Sequence, residues 1–250
     1  MKAKKSLGQH FLMHPRIAER IADTAKLTKD DVVFEIGPGT GVLTRALLAR
    51  AKKVIAVEAD AELYAKLAAD FAPEIARGRL ILTKEDIRAT NIGTLLKDYV
   101  VVANIPYYLT GEILRLFLEA PNQPRTMTLM VQKEVAERIA RSKKESVLSL
   151  SVKAYGTPKY EFTVPRGAFV PAPKVNSAVL SVRDISRKHF ATATEEKRFF
   201  ELIHAGFAHK RKKLANNLQE IDVAVPLALT TTRAEDLSLA LWLALIKKGG

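Results

Sequence analysis

Four residues of this chain each follow an apolar run and could contact a ligand there. They are Gly37, Glu58, Asp86 and Asn104. Glycine lacks a Cβ and lets the backbone approach a ligand closely, while carboxylate and amide oxygens accept hydrogen bonds. The glycines after the first run have the spacing G-x-G-x-G, not the G-x-G-x-x-G that places a pyrophosphate at a helix N-terminus. These residues therefore favour a nucleoside ligand without phosphate groups.

S-adenosylmethionine is the common cofactor of that kind, and the residues match its parts. Glu58 is placed to accept hydrogen bonds from both ribose hydroxyls. Asp86 is placed to accept one from the adenine amino group, and the backbone N–H groups around Gly37 suit the methionine carboxylate. The sequence thus predicts S-adenosylmethionine as the cofactor and methyl transfer as the reaction, with no metal.

The tetrapeptide Asn104-Ile105-Pro106-Tyr107 suits methyl transfer to the exocyclic amine of a base. Such an amine is a poor nucleophile because its lone pair is delocalised into the ring. The Asn104 side-chain oxygen and the backbone carbonyl of Ile105 or Pro106 can accept its two N–H groups and direct the lone pair at the methyl group. Tyr107 can stack on a base that has left its helix. We therefore assign Asn104, Pro106 and Tyr107 to catalysis.

The elements that must position these residues alternate between strands and helices. This alternation predicts a mainly parallel, doubly wound sheet, a Rossmann-like α/β fold whose ligands bind beyond the carboxyl ends of the strands. Two further strands are predicted over 147–154 and 177–182. Between them, the prolines of residues 165–176 predict a stiff loop that presents Phe169 as a second stacking face for the base.

The charge of the chain indicates a polyanionic partner. Its 250 residues carry a formal net charge of +13, and nucleic acid is the first candidate for such an excess of cations. Cysteine is absent, which excludes disulfides, thiolate metal sites and cysteine nucleophiles. No apolar run reaches the roughly 20 residues of a membrane span, and the N-terminus lacks a signal-peptide pattern. We therefore expect a cytoplasmic protein with no membrane contact.

A break into polar residues around 184–194 predicts a domain boundary. We expect a methyltransferase domain over 1–186 and a small all-helical, RNA- or ribosome-contacting domain over 187–250. The second domain contains a basic cluster, which consists of Lys210, Arg211, Lys212 and Lys213. We expect the basic cluster to bind RNA phosphates without reading sequence.

Six segments of the chain together form a specific pattern. They are Gly8-Gln9-His10-Phe11-Leu12, Glu35-Ile36-Gly37-Pro38-Gly39-Thr40-Gly41, Val57-Glu58, Asp86-Ile87, Asn104-Ile105-Pro106-Tyr107-Tyr108, and Phe169-Val170-Pro171-Ala172-Pro173-Lys174-Val175-Asn176-Ser177-Ala178-Val179. This pattern resembles that of the ribosomal RNA adenine N6,N6-dimethyltransferases over most of the chain. The resemblance implies a class I methyltransferase domain with a target-base loop at the last segment.

The resemblance also implies individual site residues. Those that should contact S-adenosylmethionine are Gln9, His10, Leu12, Gly37, Gly39, Glu58, Ala59, Asp86, Ile87 and Asn104. Those that should act in catalysis are Asn104, Pro106, Tyr107 and Phe169.

Two branches of the family share these motifs. One dimethylates two adjacent adenines near the 3′ end of small-subunit (16S) rRNA, and the other methylates a large-subunit (23S) adenine and confers macrolide resistance. Residues 207–218, which include the basic cluster, resemble the first branch. That resemblance implies a partner, rRNA in a small ribosomal subunit or its precursor, and a role in subunit biogenesis. We expect the protein to be a monomer.

Other functions stay open on the sequence alone. They are the large-subunit methyltransferase, a ribosome-assembly or nucleic-acid-binding factor, and a DNA adenine methyltransferase. The intact Glu58, Asn104, Pro106 and Tyr107 argue against loss of catalysis. The sequence departs from the family between 144 and 150, where a Tyr-Gly pair often precedes a Leu-Ser-Val strand, so the conformation of the loop over 141–150 stays open.

Overall fold

A seven-stranded sheet forms the centre of the computed structural model, which describes residues 9–95 and 98–247. Gly8 of the N-terminal motif therefore lies outside the described residues. The strands are β1 (Phe11–Leu12), β2 (Val32–Ile36), β3 (Lys53–Glu58), β4 (Leu80–Lys84), β5 (Val100–Asn104), β6 (Thr126–Gln132), β7 (Thr157–Val164), β8 (Phe169–Val170) and β9 (Ser177–Arg183). The large sheet has the order β4-β3-β2-β5-β6-β9-β7, while β1 and β8 form a separate pair.

The first five strands of that order are parallel to one another, and β9 runs antiparallel between β6 and β7. The mainly parallel sheet predicted from the sequence is therefore confirmed. Parallel strands place their carboxyl ends at one edge, so the residues that follow β2, β3, β4 and β5 come close together there.

Helices cover both faces of the sheet. The α-helices of the described residues, including those of the C-terminal part, are α1 (Pro15–Thr24), α2 (Val42–Leu48), α3 (Ala61–Asp70), α4 (Ala72–Ala76), α5 (Ile92–Leu95), α6 (Thr110–Leu118), α7 (Lys133–Ala140), α8 (Val147–Tyr155), α9 (Ala193–Gly206), α10 (Leu214–Leu218) and α11 (Leu239–Lys247). Along β2, Val33 packs with α1 and α2, whereas Phe34 and Ile36 pack in the cluster on the opposite face. Burial on both faces explains why these strands are nearly continuous apolar runs.

The strand predicted over 147–154 is wrong, because these residues form α8. Ser146 begins the helix with a reciprocal cap: its hydroxyl accepts from the Ser149 N–H at 3.1 Å, and its own N–H donates to Ser149 Oγ at 2.7 Å. The alternation of apolar and polar residues has the period of a strand, but the cap and packing against α6, α7 and α9 stabilise a helix instead. The edge of the sheet beside β9 is occupied by β7.

The chain beyond residue 187 is helical in the part that the structure describes, as predicted. Phe199 and Trp242 of this part are fully buried in the same hydrophobic cluster as Phe34 of β2. The Tyr155 hydroxyl of α8 also donates a hydrogen bond to Glu196 of α9. The two parts therefore pack over a shared core. A division into domains at 186/187 stays a prediction.

Gly41 closes the glycine turn and begins α2 with a φ of +79°. A Cβ at this position would lie 2.5 Å from Cε2 of Phe71 and 3.0 Å from Cδ2 of Leu67. We expect Gly41→Ala to lower the free energy of unfolding by about 2–4 kcal/mol, because left-handed strain and overpacking add. Urea unfolding followed by circular dichroism measures this loss.

Gly78→Ala is the matched control for this prediction. Gly78 has a φ of +68°, but nothing lies within 4 Å of an added Cβ. This variant should show the cost of strain alone, about 1–2 kcal/mol. Equal losses in the two variants would contradict a contribution from the contact with Phe71.

Candidate active site

A cavity lies at the carboxyl ends of the parallel strands, at the edge of the sheet that the sequence predicts. All the predicted cofactor residues and three of the predicted catalytic residues line it, namely Gln9, His10, Leu12, Gly37, Gly39, Glu58, Ala59, Asp86, Ile87, Asn104, Pro106 and Tyr107. The structure thus gathers residues from five separate segments of the chain around one space. Phe169 and the basic cluster do not line it.

Two backbone N–H groups of the glycine turn bind within the protein. The Gly37 N–H donates to the Val57 carbonyl at 2.9 Å, and the Gly39 N–H donates to Glu58 Oε2 at 3.1 Å. The role expected for the N–H groups around Gly37 toward the methionine carboxylate stays a prediction. Gly37 has a left-handed φ of +61°, and no atom lies within 4 Å of the place that a Cβ would occupy. The turn therefore presents bare backbone to the cavity.

Glu58 ends β3 with a buried carboxylate whose two oxygens both accept backbone hydrogen bonds. Oε2 accepts from Gly39, and Oε1 accepts from the Asp60 N–H at 2.9 Å. Burial raises the pKa of Glu58, and these hydrogen bonds partly oppose the rise. Each oxygen has a further lone pair, so Glu58 keeps the capacity to accept from a pair of ribose hydroxyls.

Asp86 lies two residues beyond β4 and is held by Arg88. Its carboxylate accepts hydrogen bonds from the Arg88 N–H, Nε and Nη2, the last at 2.6 Å. The Arg88 side chain lowers the pKa of Asp86, so this carboxylate stays ionised. Both residues line the cavity, and the hydrogen bond from an adenine amino group to Asp86 stays a prediction.

Asn104 ends β5 with its side chain half-buried at the cavity. Its Nδ2 donates to the His10 backbone carbonyl at 3.3 Å, which leaves Oδ1 as an acceptor toward the cavity. The Pro106 carbonyl already accepts from the Leu109 N–H at 3.0 Å. Of the two backbone carbonyls considered for the second N–H of the amine, this geometry favours that of Ile105.

His10 connects three parts of the site. Its Nδ1 donates to the Pro171 carbonyl at 2.7 Å, and its ring stacks on that of Tyr107 with centroids 5.8 Å apart. The following residues pair as β1 with β8, with Phe11 opposite Val170. The N-terminal segment therefore links the cavity to the loop over 165–176.

Phe169 is only 2% exposed, and its ring packs in the core with Leu12 and Ala168. It is placed there because β8 pairs with β1. The sequence predicts a ring presented to the base, whereas this arrangement keeps the ring away from the cavity. Its catalytic role stays a prediction.

The basic cluster lies between α9 and α10, fully on the surface. Lys212 pairs with Glu220 at 3.2 Å, whereas Lys210, Arg211 and Lys213 make no ion pair within the described residues. Lys210 and Lys212 also line a cleft together with Lys144, which lies in the loop before α8. The cluster is therefore a separate cationic surface and not a wall of the cavity.

Sequence reasoning missed Glu35 as an individual site residue. This residue of β2 lines the cavity, is 1% exposed, and has no hydrogen-bond partner among the described residues at either carboxylate oxygen. Burial and the neighbouring Glu58 raise the pKa of Glu35 to about 8. The Thr44 hydroxyl is close enough to offset part of this rise but makes no hydrogen bond of good geometry. The sequence feature that could have identified Glu35 is a single carboxylate within an otherwise apolar strand.

The raised pKa of Glu35 makes stability depend on pH. Below pH 4.5 the carboxyl is protonated in both the folded and the unfolded state, whereas between pH 4.5 and about 8 only the unfolded state ionises. The free energy of unfolding should therefore fall by up to about 1.4 kcal/mol per pH unit in that range. Glu35→Gln removes this slope and should become more stable than the parent protein as pH rises. Urea unfolding at several pH values measures the difference in the free energy of unfolding between the variant and the parent. A difference that does not change with pH would contradict the raised pKa of Glu35.

Neither a metal site nor a membrane span is found in the described ranges, 9–95 and 98–247. No group of three or more His, Asp or Glu side chains there could hold a metal ion. No helix in those ranges combines the length and the apolar content needed to cross a bilayer.

Comparison with known sequences places the chain in a family. The family described as ribosomal RNA adenine dimethylase matches residues 1–247. A relative from Dehalococcoides mccartyi, named ribosomal RNA small subunit methyltransferase A, is 40% identical over 97% of this chain and 87% of its own length. A relative of the same name from Bacillus cereus is 39% identical over 86% of this chain and 76% of its own length.

Solved structures agree over almost the whole chain. A dimethyladenosine transferase from Plasmodium falciparum has a TM-score of 0.80 and 26% identity, covering 96% of this chain and 97% of its own. The 23S rRNA methyltransferase ErmE has a TM-score of 0.77 and 25% identity, covering 95% and 98%. With this class I methyltransferase fold, the chain belongs to the ribosomal RNA adenine dimethylase family, whose methyl donor is S-adenosylmethionine.

Proposed function

We propose that this protein transfers methyl groups from S-adenosylmethionine to the N6 amino groups of two adjacent adenines near the 3′ end of small-subunit (16S) rRNA. The products are N6,N6-dimethyladenosines, and the modification belongs to small-subunit biogenesis. The observation that carries the reaction is that Asn104 and Tyr107 line the same cavity as Glu58 and Asp86. The names of the curated relatives support the small subunit as the substrate.

The residues of the cavity fit the cofactor. Glu58 offers acceptors for the ribose, and Asp86 offers one for the adenine. The carboxyl group of buried Glu35 has no hydrogen-bond partner among the described residues, so it offers an acceptor for an ammonium group, and the charge of such a cation would lower the pKa of Glu35. When bound, S-adenosylmethionine supplies an electrophilic methyl group on its sulfonium.

The chain's own residues then prepare the amine. Asn104 Oδ1 and the Ile105 carbonyl accept the two N–H groups, so that the nitrogen lone pair points out of the base plane. The same two acceptors stabilise the positive charge that develops on the nitrogen as the methyl group arrives. Tyr107 holds one face of the extruded base by stacking. Because the ring of Phe169 in β8 is buried in the core, its role as the second stacking face requires the loop over 165–176 to move when RNA binds.

The helical part of the chain supplies the wider RNA contact in this proposal. The basic cluster binds rRNA phosphates, and residues 187–250 act as the RNA- or ribosome-contacting domain. We propose that the protein acts as a monomer in the cytoplasm, where rRNA precursors are its partners. Size-exclusion chromatography with light scattering tests the monomer.

Labelled S-adenosylmethionine tests the substrate. The protein is incubated separately with under-methylated small subunits and with large subunits, and methylated adenines are mapped by mass spectrometry. We expect N6,N6-dimethyladenosine at two adjacent positions of the small-subunit rRNA. Label found only in the large subunit would support the alternative branch. Restored subunit assembly without any methyl transfer would support a binding factor instead.

A further inference from the structure

We propose that Ser177 is a positioning residue for the Tyr107 ring and thereby controls the second methyl transfer. This inference rests on the proposed function, because it concerns how the target adenine is held. The Tyr107 hydroxyl and Ser177 Oγ lie 2.7 Å apart, within a hydrogen bond. The two residues are 70 positions apart in the chain, so the contact exists only in the folded protein.

Ser177 is a rigid anchor. It is fully buried and begins β9, where it pairs with Gln132 of β6 on one side and Val164 of β7 on the other. Backbone pairing on both sides holds the serine in place. Tyr107, in contrast, begins a single 3-10 turn (Tyr107–Leu109) after β5, and its side chain is only half-buried.

Tyr107 is restrained at three points, one on its backbone and two on its side chain. The Thr110 hydroxyl donates to the Tyr107 carbonyl at 2.9 Å, and the His10 ring stacks on the aromatic face. The bond to Ser177 fixes the far end of the side chain. Burial raises the pKa of the Tyr107 hydroxyl, so this group stays neutral at physiological pH and does not act as a base. Its remaining task is to hold the orientation of the ring.

Ring orientation matters most for the second methyl group. The unmodified amine has two N–H groups, which Asn104 and the Ile105 carbonyl can both accept. After the first transfer one N–H has been replaced by N–CH₃, so only one of these hydrogen bonds remains. Stacking on Tyr107 must then supply a larger share of the alignment. A loosened ring should therefore slow the second transfer more than the first.

A double-mutant cycle tests this inference on under-methylated small subunits. Ser177→Ala and Tyr107→Phe each break the same hydrogen bond, and both keep the aromatic ring. Each should lower kcat about fivefold to tenfold, leave the KM for S-adenosylmethionine unchanged, and raise the ratio of N6-monomethyladenosine to N6,N6-dimethyladenosine. The double variant should be no worse than either single variant, because one interaction has been removed once.

Ser181→Ala is the matched control. Ser181 is also buried in β9, but its hydroxyl donates to Glu161 at 2.7 Å, away from the site. This variant should keep the product ratio of the parent. The inference is overturned if the fold losses in kcat of the two single variants multiply in the double variant. It is also overturned if Ser177→Ala lowers Tm without changing the product ratio, because Ser177 would then serve packing only.

Two further arms complete the design. Should Ser177→Ala fail to fold, Tyr107→Phe breaks the bond from the loop side and carries the test by its product ratio alone. A parent protein that leaves small subunits unmethylated would contradict the proposed function. If the parent protein is active and Ser177→Ala matches it in kcat and product ratio, only the positioning role is contradicted.

Discussion

Replacing Asn104 with alanine should reduce methyl transfer by about a hundredfold to a thousandfold while S-adenosylmethionine still binds. The substitution removes the side-chain acceptor that polarises the adenine amine, and losing one preorganised group at a reacting centre costs about this much in kcat. Cofactor affinity should weaken only moderately. The variant loses the hydrogen bond from Asn104 Nδ2 to the His10 carbonyl, but it keeps Glu58 and Asp86.

Single-turnover transfer to under-methylated subunits and isothermal titration with the cofactor measure the two effects separately. Asn122→Ala is a suitable control, because Asn122 donates to the Gly93 carbonyl at 2.6 Å and does not line the cavity. Asn104→Asp keeps an acceptor but sets a carboxylate against the His10 carbonyl, so intermediate activity is expected. Full activity of Asn104→Ala would remove this residue from the mechanism.

Neutralising the basic cluster should weaken RNA binding by about a hundredfold to a thousandfold at 0.1 M salt. Each lysine or arginine that contacts a phosphate releases counterions when RNA binds. Losing one such contact should therefore reduce the magnitude of the negative slope of log K against log salt by about one. Because Lys212 already pairs with Glu220, most of the change should come from Lys210, Arg211 and Lys213. Binding to the rRNA fragment at several salt concentrations measures the slope.

A matched variant separates this cationic surface from net charge alone. Lys26, Lys52 and Arg77 are exposed cations that precede β2, β3 and β4, and so lie at the edge of the sheet opposite the cavity. Neutralising these three removes the same charge as a basic-cluster variant that neutralises Lys210, Arg211 and Lys213 and keeps Lys212. We expect little change in slope for this control. Equal slopes for the parent and the basic-cluster variant would show that the cluster is an ordinary solvated surface.

Local sequence pattern alone was enough to predict the strands whose ends form the site. The apolar runs and their glycine and polar ends predict parallel strands, and the geometry of a parallel sheet requires the ends of those strands to meet. This is why Gly37, Glu58, Asp86 and Asn104 could be assigned to one cavity before any contact was known. The helical C-terminal part followed from the apolar spacing of a helix in the same way.

Predictions from local sequence pattern were wrong in two situations. In one, the same spacing of apolar residues fits both a strand and a helix; in the other, a residue contacts a segment that is distant in the sequence. Residues 147–154 alternate like a strand, but the cap at Ser146 and the surrounding helices favour a helix. The ring of Phe169 was expected at the site and is buried beside β1, and the Gly37 N–H donates to the Val57 carbonyl of β3. Each outcome depends on which segments pack together, and adjacent residues carry no information about that.

The sequence by itself thus determined at which edge of the sheet the residues proposed for adenine methylation lie, because strand direction and residue chemistry are local properties. The tertiary structure decided how those residues are held. The contact of His10 with Pro171 spans 161 positions, and that of Tyr107 with Ser177 spans 70. Hydrogen bonds over such separations form only after the chain has closed its core, since each depends on the packing of two elements that the sequence does not place side by side.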